Sequence, residues 1–207
     1  MRTIAPLIFA ALLATTVSGC YDTGFPTTKE LEAMYRRNPT PKQTYRITLS
    51  VAEAPGPFAK AEGSIRYEAP NCGYIAEGIS GVPMEPSHYL PIKFSKIGEN
   101  TFVATIHADA MLDEDYLGTG VCRWQPVSVT SSIRATGAKT DIEYIVGLSG
   151  DELRGLKADT SYFVKDEYPG NDPSERSDLG NADPNWYRPE LQGQLFSATL
   201  TPAAVTP

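Results

Sequence analysis

Alternation of apolar and polar residues constrains this chain most. From Thr44 to Ala52, Tyr45, Ile47, Leu49 and Val51 alternate with Arg46, Thr48 and Ser50. A period of two places one set on a buried face and the other toward water, which predicts a half-buried strand. The pattern recurs at Ile65 and Tyr67 within Gly63 to Glu68, at Leu90, Ile92 and Phe94, and at Phe102, Ala104 and Ile106. It returns at Val127, Val129, Ser131 and Ile133, at Ile142, Tyr144, Val146 and Leu148, in Ser161 to Val164, and in a closing run with Leu195, Phe196, Ala198 and Leu200. Pro91 suits an edge strand. Turn residues separate the runs at Pro55-Gly56-Pro57, Asn71-Cys72-Gly73, Gly98-Glu99-Asn100 and Thr136 to Lys139. About eight strands at this spacing predict a mainly β fold, an antiparallel sandwich or barrel-like sheet. One short helix precedes them: Leu31, Met34 and Tyr35 share a helical face over about 29–37, with Pro39 and Pro41 ending it. Thr28 stands in the cap position before it, but three residues on Leu31 takes the place of a capping-box Glu or Gln.

The first twenty residues have a different character. Met1-Arg2 open with positive charge, Ile4 to Val17 are mostly apolar, and Val17-Ser18-Gly19-Cys20 follows. A charged head, an apolar stretch and a small-residue exit describe a secretory signal. The apolar run is shorter than the roughly 20 residues of a comfortable membrane span. The Val17-Ser18-Gly19-Cys20 tetrad resembles the lipobox of bacterial lipoproteins. The resemblance implies cleavage before Cys20 by signal peptidase II, with diacylglycerol on the Cys20 thiol and an acylated (palmitate-type) amine. It covers residues 1–20 only. It divides the chain into a signal peptide (1–19), an acylated tether (20–28), one β-rich domain (29–201) and a frayed tail (202–207). Tyr21, not Asp, follows the cysteine. By that family's sorting rules this implies the outer membrane of a Gram-negative cell envelope, with the domain facing the periplasm. Two or three acyl chains, at about 0.8 kcal/mol per buried methylene, give stable anchoring where one does not.

Removing the signal leaves one domain's worth of chain. The net charge of −7 argues against nucleic acid and anionic lipid as partners and permits a basic protein. With Cys20 acylated, Cys72 and Cys122 remain, and an isolated pair in an exported chain reads as a disulfide. Two free or metal-binding thiols are the other reading.

Enzyme motifs are missing. Gly78-Ile-Ser-Gly81 and Gly147-Leu-Ser-Gly150 are each one residue short of a nucleophile elbow. The histidines are His88 and His107; His107 stands near Asp109 and reads as a hydrogen-bonded surface residue. There is no zinc-protease motif and no phosphate-cradling glycine loop. The expectation is a binding protein, not an enzyme, without a cofactor. Two stretches are candidate contact surfaces. In the loop 109–124, Asp113, Glu114 and Asp115 repel one another unless solvated or met by cations, and Tyr116 beside them suits an interface. Calcium at Asp113, Glu114 and Asp115 is a second reading, though the EF-hand spacing is absent. Trp124 reads as a core residue over the disulfide. The proline-rich loop 166–192 offers Trp186 and Tyr187, either as a plug over a sheet edge or as a contact patch. Together these predict an envelope lipoprotein that binds a protein partner. The first reading is an immunity-type protein that neutralises a basic exported effector enzyme. The alternatives are a structural or assembly lipoprotein of an envelope machine and, last, a hydrolase.

Overall fold

A computed structural model of the chain describes residues 27–75, 81–170, 174 and 176–205. In chain order the elements are α1 (Thr28–Met34), β1 (Thr44–Ala52), β2 (Lys60–Glu68), β3 (Tyr74–Ile75), β4 (Pro83–Met84), β5 (Ser87–Lys93), β6 (Ser95–Gly98) and β7 (Thr101–His107). They continue with β8 (Gln125–Arg134), β9 (Glu143–Ser149), α2 (Gly150–Arg154), β10 (Asp159–Val164), β11 (Ser177–Asp178) and β12 (Leu195–Val205). Short 3-10 turns lie at Lys165–Glu167, Pro184–Trp186 and Gln192–Gln194.

The fold is mainly β, as the alternation predicts. One sheet has the order β10-β12-β1-β7-β6 and the other β11-β9-β8-β2-β5, with β3 and β4 as a separate ribbon. The pairing is antiparallel except between β11 and β9. The described residues hold twelve strands, not about eight. The eight expected runs are the eight longer strands; β3, β4, β6 and β11 have two to four residues each, too few to show a period. Pro91 does lie in an edge strand, β5. Only Phe94 separates β5 from β6, so one extended segment passes from the second sheet to the first at a corner.

The sheets pack face to face over a shared core. Ile47, Leu49, Phe102, Ile106, Phe196 and Leu200 of the first meet Ile65, Tyr67, Val129, Ile133, Tyr144 and Val146 of the second. The Tyr144 ring reaches across to Phe163 at 5.2 Å and Phe196 at 5.0 Å, edge to face in both cases. Such ring pairs contribute roughly 0.5–1.5 kcal/mol beyond their area.

Both chain ends of the domain differ from expectation. The helix starts one residue earlier and stops at Met34, not near 37. Its cap is Thr27: Glu30 N donates to the Thr27 hydroxyl at 3.4 Å, and Thr27 N donates to the Glu30 carboxylate at 2.8 Å. This is a full capping box, read one residue out of register in the sequence. The helix ends because the chain turns to tertiary partners. Leu112 N donates to Arg36 O at 2.9 Å, and Asn38 N to Ala110 O at 2.8 Å. At the other end, the expected frayed tail from Pro202 is strand: β12 pairs with β1 as far as Val205 opposite Thr44. Pro202 lies beyond Leu200, the partner of Asp159 at the start of β10, so its nitrogen faces no strand on that side, where a proline in a strand is tolerated.

The register defines two ends of the sandwich. Thr44 lies opposite His107 and Val205, and the Tyr67 hydroxyl donates to His107 O at 2.6 Å, joining the sheets at that end. There α1, the β3–β4 ribbon, the loop 108–124 and α2 gather. At the far end Ala52 lies opposite Ser197 and Lys60 opposite Arg134. Phe58 N donates to the Asn100 side chain at 3.0 Å there, and the Tyr168 hydroxyl donates to Pro57 O.

Candidate functional site

The acidic loop is tied down from inside. Cys72 and Cys122 form the expected disulfide. Glu114 pairs with Cys122 in an isolated bridge, Cys122 N donating to Glu114 O at 2.8 Å. Each of the three acids then has its own partner in the chain. Arg36 clamps Glu114 with two groups, its Nε lying 2.6 Å from Oε2. Asp113 accepts Trp124 N at 2.9 Å and lies 3.8 Å from the Arg123 guanidinium. Asp115 accepts Thr119 N at 3.1 Å. The three carboxylates therefore point to separate partners. Among the described residues, no three His, Cys, Asp or Glu side chains converge where they could hold a metal ion.

Tyr116 corrects the sequence reading. It is 6% exposed, because its ring packs against Tyr35 at 5.3 Å and over the disulfide, and its hydroxyl donates to Leu112 O at 2.6 Å. A buried ring whose hydroxyl bonds internally is no contact residue. Trp124 is the half-buried core residue expected beside the disulfide, 4.8 Å from Tyr35. An open cleft of about 410 Å³ lies beneath this loop, with Asn38, Gln43, Asp109, Asp113, Trp124 and Arg154 in its wall. Much of that polar wall serves the scaffold. Asp109 accepts Lys42 N at 2.8 Å and Gln43 N at 3.0 Å, and Arg154 donates to Pro126 O at 3.1 Å and Asp151 at 2.6 Å.

Ser149, His88 and His107 each have a partner within the fold. Ser149, the serine of the Gly147–Gly150 tetrad, caps α2 and pairs with Glu152 in a second capping box. Residues 78–80 of the other tetrad lie outside the described residues. His107 Nδ1 stands 3.1 Å from the Thr44 hydroxyl, and the nearby Asp109 carboxylate is turned to backbone amides instead. His88 packs edge-on against Tyr35 at 5.9 Å; burial, with help from Arg37, lowers its pKa.

The second stretch is built the other way round. Residues 176–187 form a strap across the open edges of both sheets. β11 runs parallel to β9, pairing Ser177 with Glu143. Asn181 and Tyr162 of β10 exchange hydrogen bonds of 2.8 and 3.0 Å. The Tyr187 hydroxyl donates to Tyr162 O, so Tyr187 is the expected plug. Gly180 lets the strap sit this close. Its φ is +60°, and a Cβ there would lie 2.5 Å from Tyr162 O and 2.7 Å from the Phe163 ring. On this fixed backbone Trp186 is 70% exposed and Leu179 69%. Trp186 stands at right angles to Tyr187, 5.2 Å between ring centres. Tyr187 covers the edge of β10, and Trp186 beside it is exposed. Leu179 escaped the sequence reading because a lone leucine among polar residues carries no pattern. Charge was a countable signal: residues 159–194 hold eight acids and three bases, net −5 of the whole chain's −7.

Cys20 lies outside the described residues. Among the described residues no helix is long and apolar enough to cross a membrane. No family model, curated protein or solved structure matches the chain.

Proposed function

We propose that this chain is a lipid-anchored, periplasm-facing lipoprotein that binds a protein partner through the strap. The observation that carries the reading is Trp186. A large aromatic stays 70% exposed on a backbone that two sheet edges hold in place, with exposed Leu179 on the same strap. Leaving a large apolar side chain in water forgoes about 1.5–3 kcal/mol of burial. Rigid exposed tryptophans are the usual anchors of protein interfaces. The strap lies within the segment 159–194, which carries −5 of the chain's −7, so the complementary surface is basic, and electrostatic steering would speed its approach. An immunity-type role follows from that chemistry: the domain covers the basic working surface of an exported effector enzyme and is held on the membrane where such an enzyme arrives.

The test is to purify the tagged full chain from its own envelope and identify what accompanies it by mass spectrometry. One stoichiometric, basic exported enzyme, inhibited on binding, supports the proposal. A set of envelope-machine subunits replaces it with the assembly role, and recovery of the chain alone removes it.

A further inference from the structure

A lipid on Cys20 would restrict how the domain sits. Six residues lie between Cys20 and Thr27, the cap of α1, and the seven steps between them span at most about 25 Å. The α1 end of the sandwich is therefore the end near the bilayer. A tether alone leaves the domain free to roll, and the surface chemistry of that end decides which face comes down.

Among the described residues, ten large apolar side chains are exposed, and four of them belong to α1, the β3–β4 ribbon with its turn, and β5. These are Met34, Ile75, Val82 and Tyr89, between 45% and 59% exposed. The elements carrying them are packed together. Leu31 of α1 and Tyr74 of β3 are buried against each other, with Tyr35 and Met84 alongside. A shallow depression of about 190 Å³ between α1 and β5 is walled by Glu32, Tyr74, Met84, His88 and Tyr89. Counting Glu114, which clamps Arg36, the described part of this face carries a net charge of only −1. Residues 27–38, 74–75 and 81–89 hold Lys29, Arg36 and Arg37 against Glu30, Glu32 and Glu85. Most of the chain's net negative charge lies elsewhere, in 159–194, so the overall charge of −7 does not describe this surface.

We infer that the α1 and β3–β4 face, with Met34, Ile75, Val82 and Tyr89, rests on the lipid surface and turns the strap toward the periplasm. The inference rests on the acylation of Cys20 proposed above. It adds an orientation to the anchor. Apolar tips with a tyrosine among them suit the headgroup boundary, where one end of the ring is dry and the other wet. The nine residues of β1 set the two ends about 30 Å apart. A domain seated on α1 thus holds Trp186 clear of the headgroups, and the acidic segment 159–194 away from anionic lipid.

The experiment uses the full acylated chain, with intact-mass analysis reporting the lipid on Cys20. A polarity-sensitive dye is placed at Val82→Cys or at Leu179→Cys, the native pair Cys72–Cys122 being a disulfide. Each protein is reconstituted into vesicles of mostly phosphatidylethanolamine with a minor share of phosphatidylglycerol, containing a headgroup-nitroxide quencher. Quenching several-fold stronger at 82 than at 179 is expected. Adding Tyr89→Glu should weaken quenching at 82 and leave the circular dichroism unchanged. Equal quenching at the two positions, or stronger quenching at 179, overturns the seating while a correct mass keeps the anchor. A mass without lipid removes both. Binding of the partner through Trp186 is read separately and stands or falls on its own.

Discussion

The loop 109–124 and the strap 176–187 are made of similar residues and do opposite things. Each combines carboxylates with aromatic rings and small turn residues. In the loop the acids, though Asp113 and Asp115 are exposed, each bond within the chain: Glu114 to Arg36, Asp113 to the Trp124 amide, Asp115 to the Thr119 amide. Its Tyr116 is buried on the disulfide. In the strap it is the backbone that bonds inward, to β9 and β10, and Trp186 and Leu179 are left in water. The difference teaches that a run of exposed acids is not necessarily free of partners within its own chain. Where turn amides and a guanidinium lie within reach, carboxylates serve the scaffold. Where the main chain finds sheet edges to pair with, the side chains are free to face a partner.

Three changes probe that contrast, and the largest concerns the loop. Replacing both Cys72 and Cys122 by Ala removes a cross-link over 50 residues, which the chain-entropy model values at roughly 4 kcal/mol. Urea unfolding of the variant should show a loss of that order, with the amides of Thr119 and Trp124 losing hydrogen-exchange protection before Asn181. A loss under about 1 kcal/mol would mean that the loop's internal hydrogen bonds hold it without the cross-link.

Gly180→Ala is next. It puts a Cβ against Tyr162 O and the Phe163 ring at a positive φ, a strain of about 2 kcal/mol. The expected result is a lower urea midpoint, with exchange accelerated at Asn181 and unchanged at Trp124. Unchanged exchange at Asn181 would show that the strap is not held by its close approach to β10.

Acid has the smallest effect, and it should act at the strap. Burial opposes ionisation of Glu143, but hydrogen bonds from Ser132 and Ser177 and the charge of Arg134 outweigh it, so its pKa is lowered. A carboxylate with a depressed folded-state pKa adds stability above its unfolded-state value, and that stability is lost as pH falls through the folded-state value. Ser177 donates to Glu143 at 3.0 Å, so its protonation loosens β11. As pH falls below the ordinary carboxylate value of 4.5 and through the lowered folded-state value, stability should fall, part of the fall coming from this one group. Glu143→Gln should flatten that part of the curve. An unchanged curve would detach the strap from this titration.

How much of this was legible in the sequence follows from range. Seven of the eight longer strands were readable because five or more residues of alternation report which face is buried, whatever they pair with; Ser161 to Val164 offered only four residues. The two-residue strands were not, since β11 exists only because Glu143 lies beside it. The capping box at Thr27 was present as a Thr-x-x-Glu spacing and was missed by one residue. Strand β12 outran its own apolar pattern because β1 continues to pair with it to Val205. The disulfide followed from counting cysteines. Whether Tyr116 or Trp186 would be the exposed aromatic had no local signal. Tyr116 is buried by Tyr35, eighty-one positions earlier, and by Cys72, while Trp186 is exposed because Tyr187 takes the inner place.

The central claim is that the strap, and not the acidic loop, meets the partner. The direct measurement compares three full-length proteins purified from the same envelope: the native chain, Leu179→Ala with Trp186→Ala, and Asp115→Asn with Glu114→Gln. Circular dichroism should establish that all three are folded, and quantitative mass spectrometry should then count what each retains. The account predicts one stoichiometric partner with the native chain and the loop variant, and its loss with the strap variant. Retention by the strap variant with loss from the loop variant, or no partner on the native chain, would contradict it.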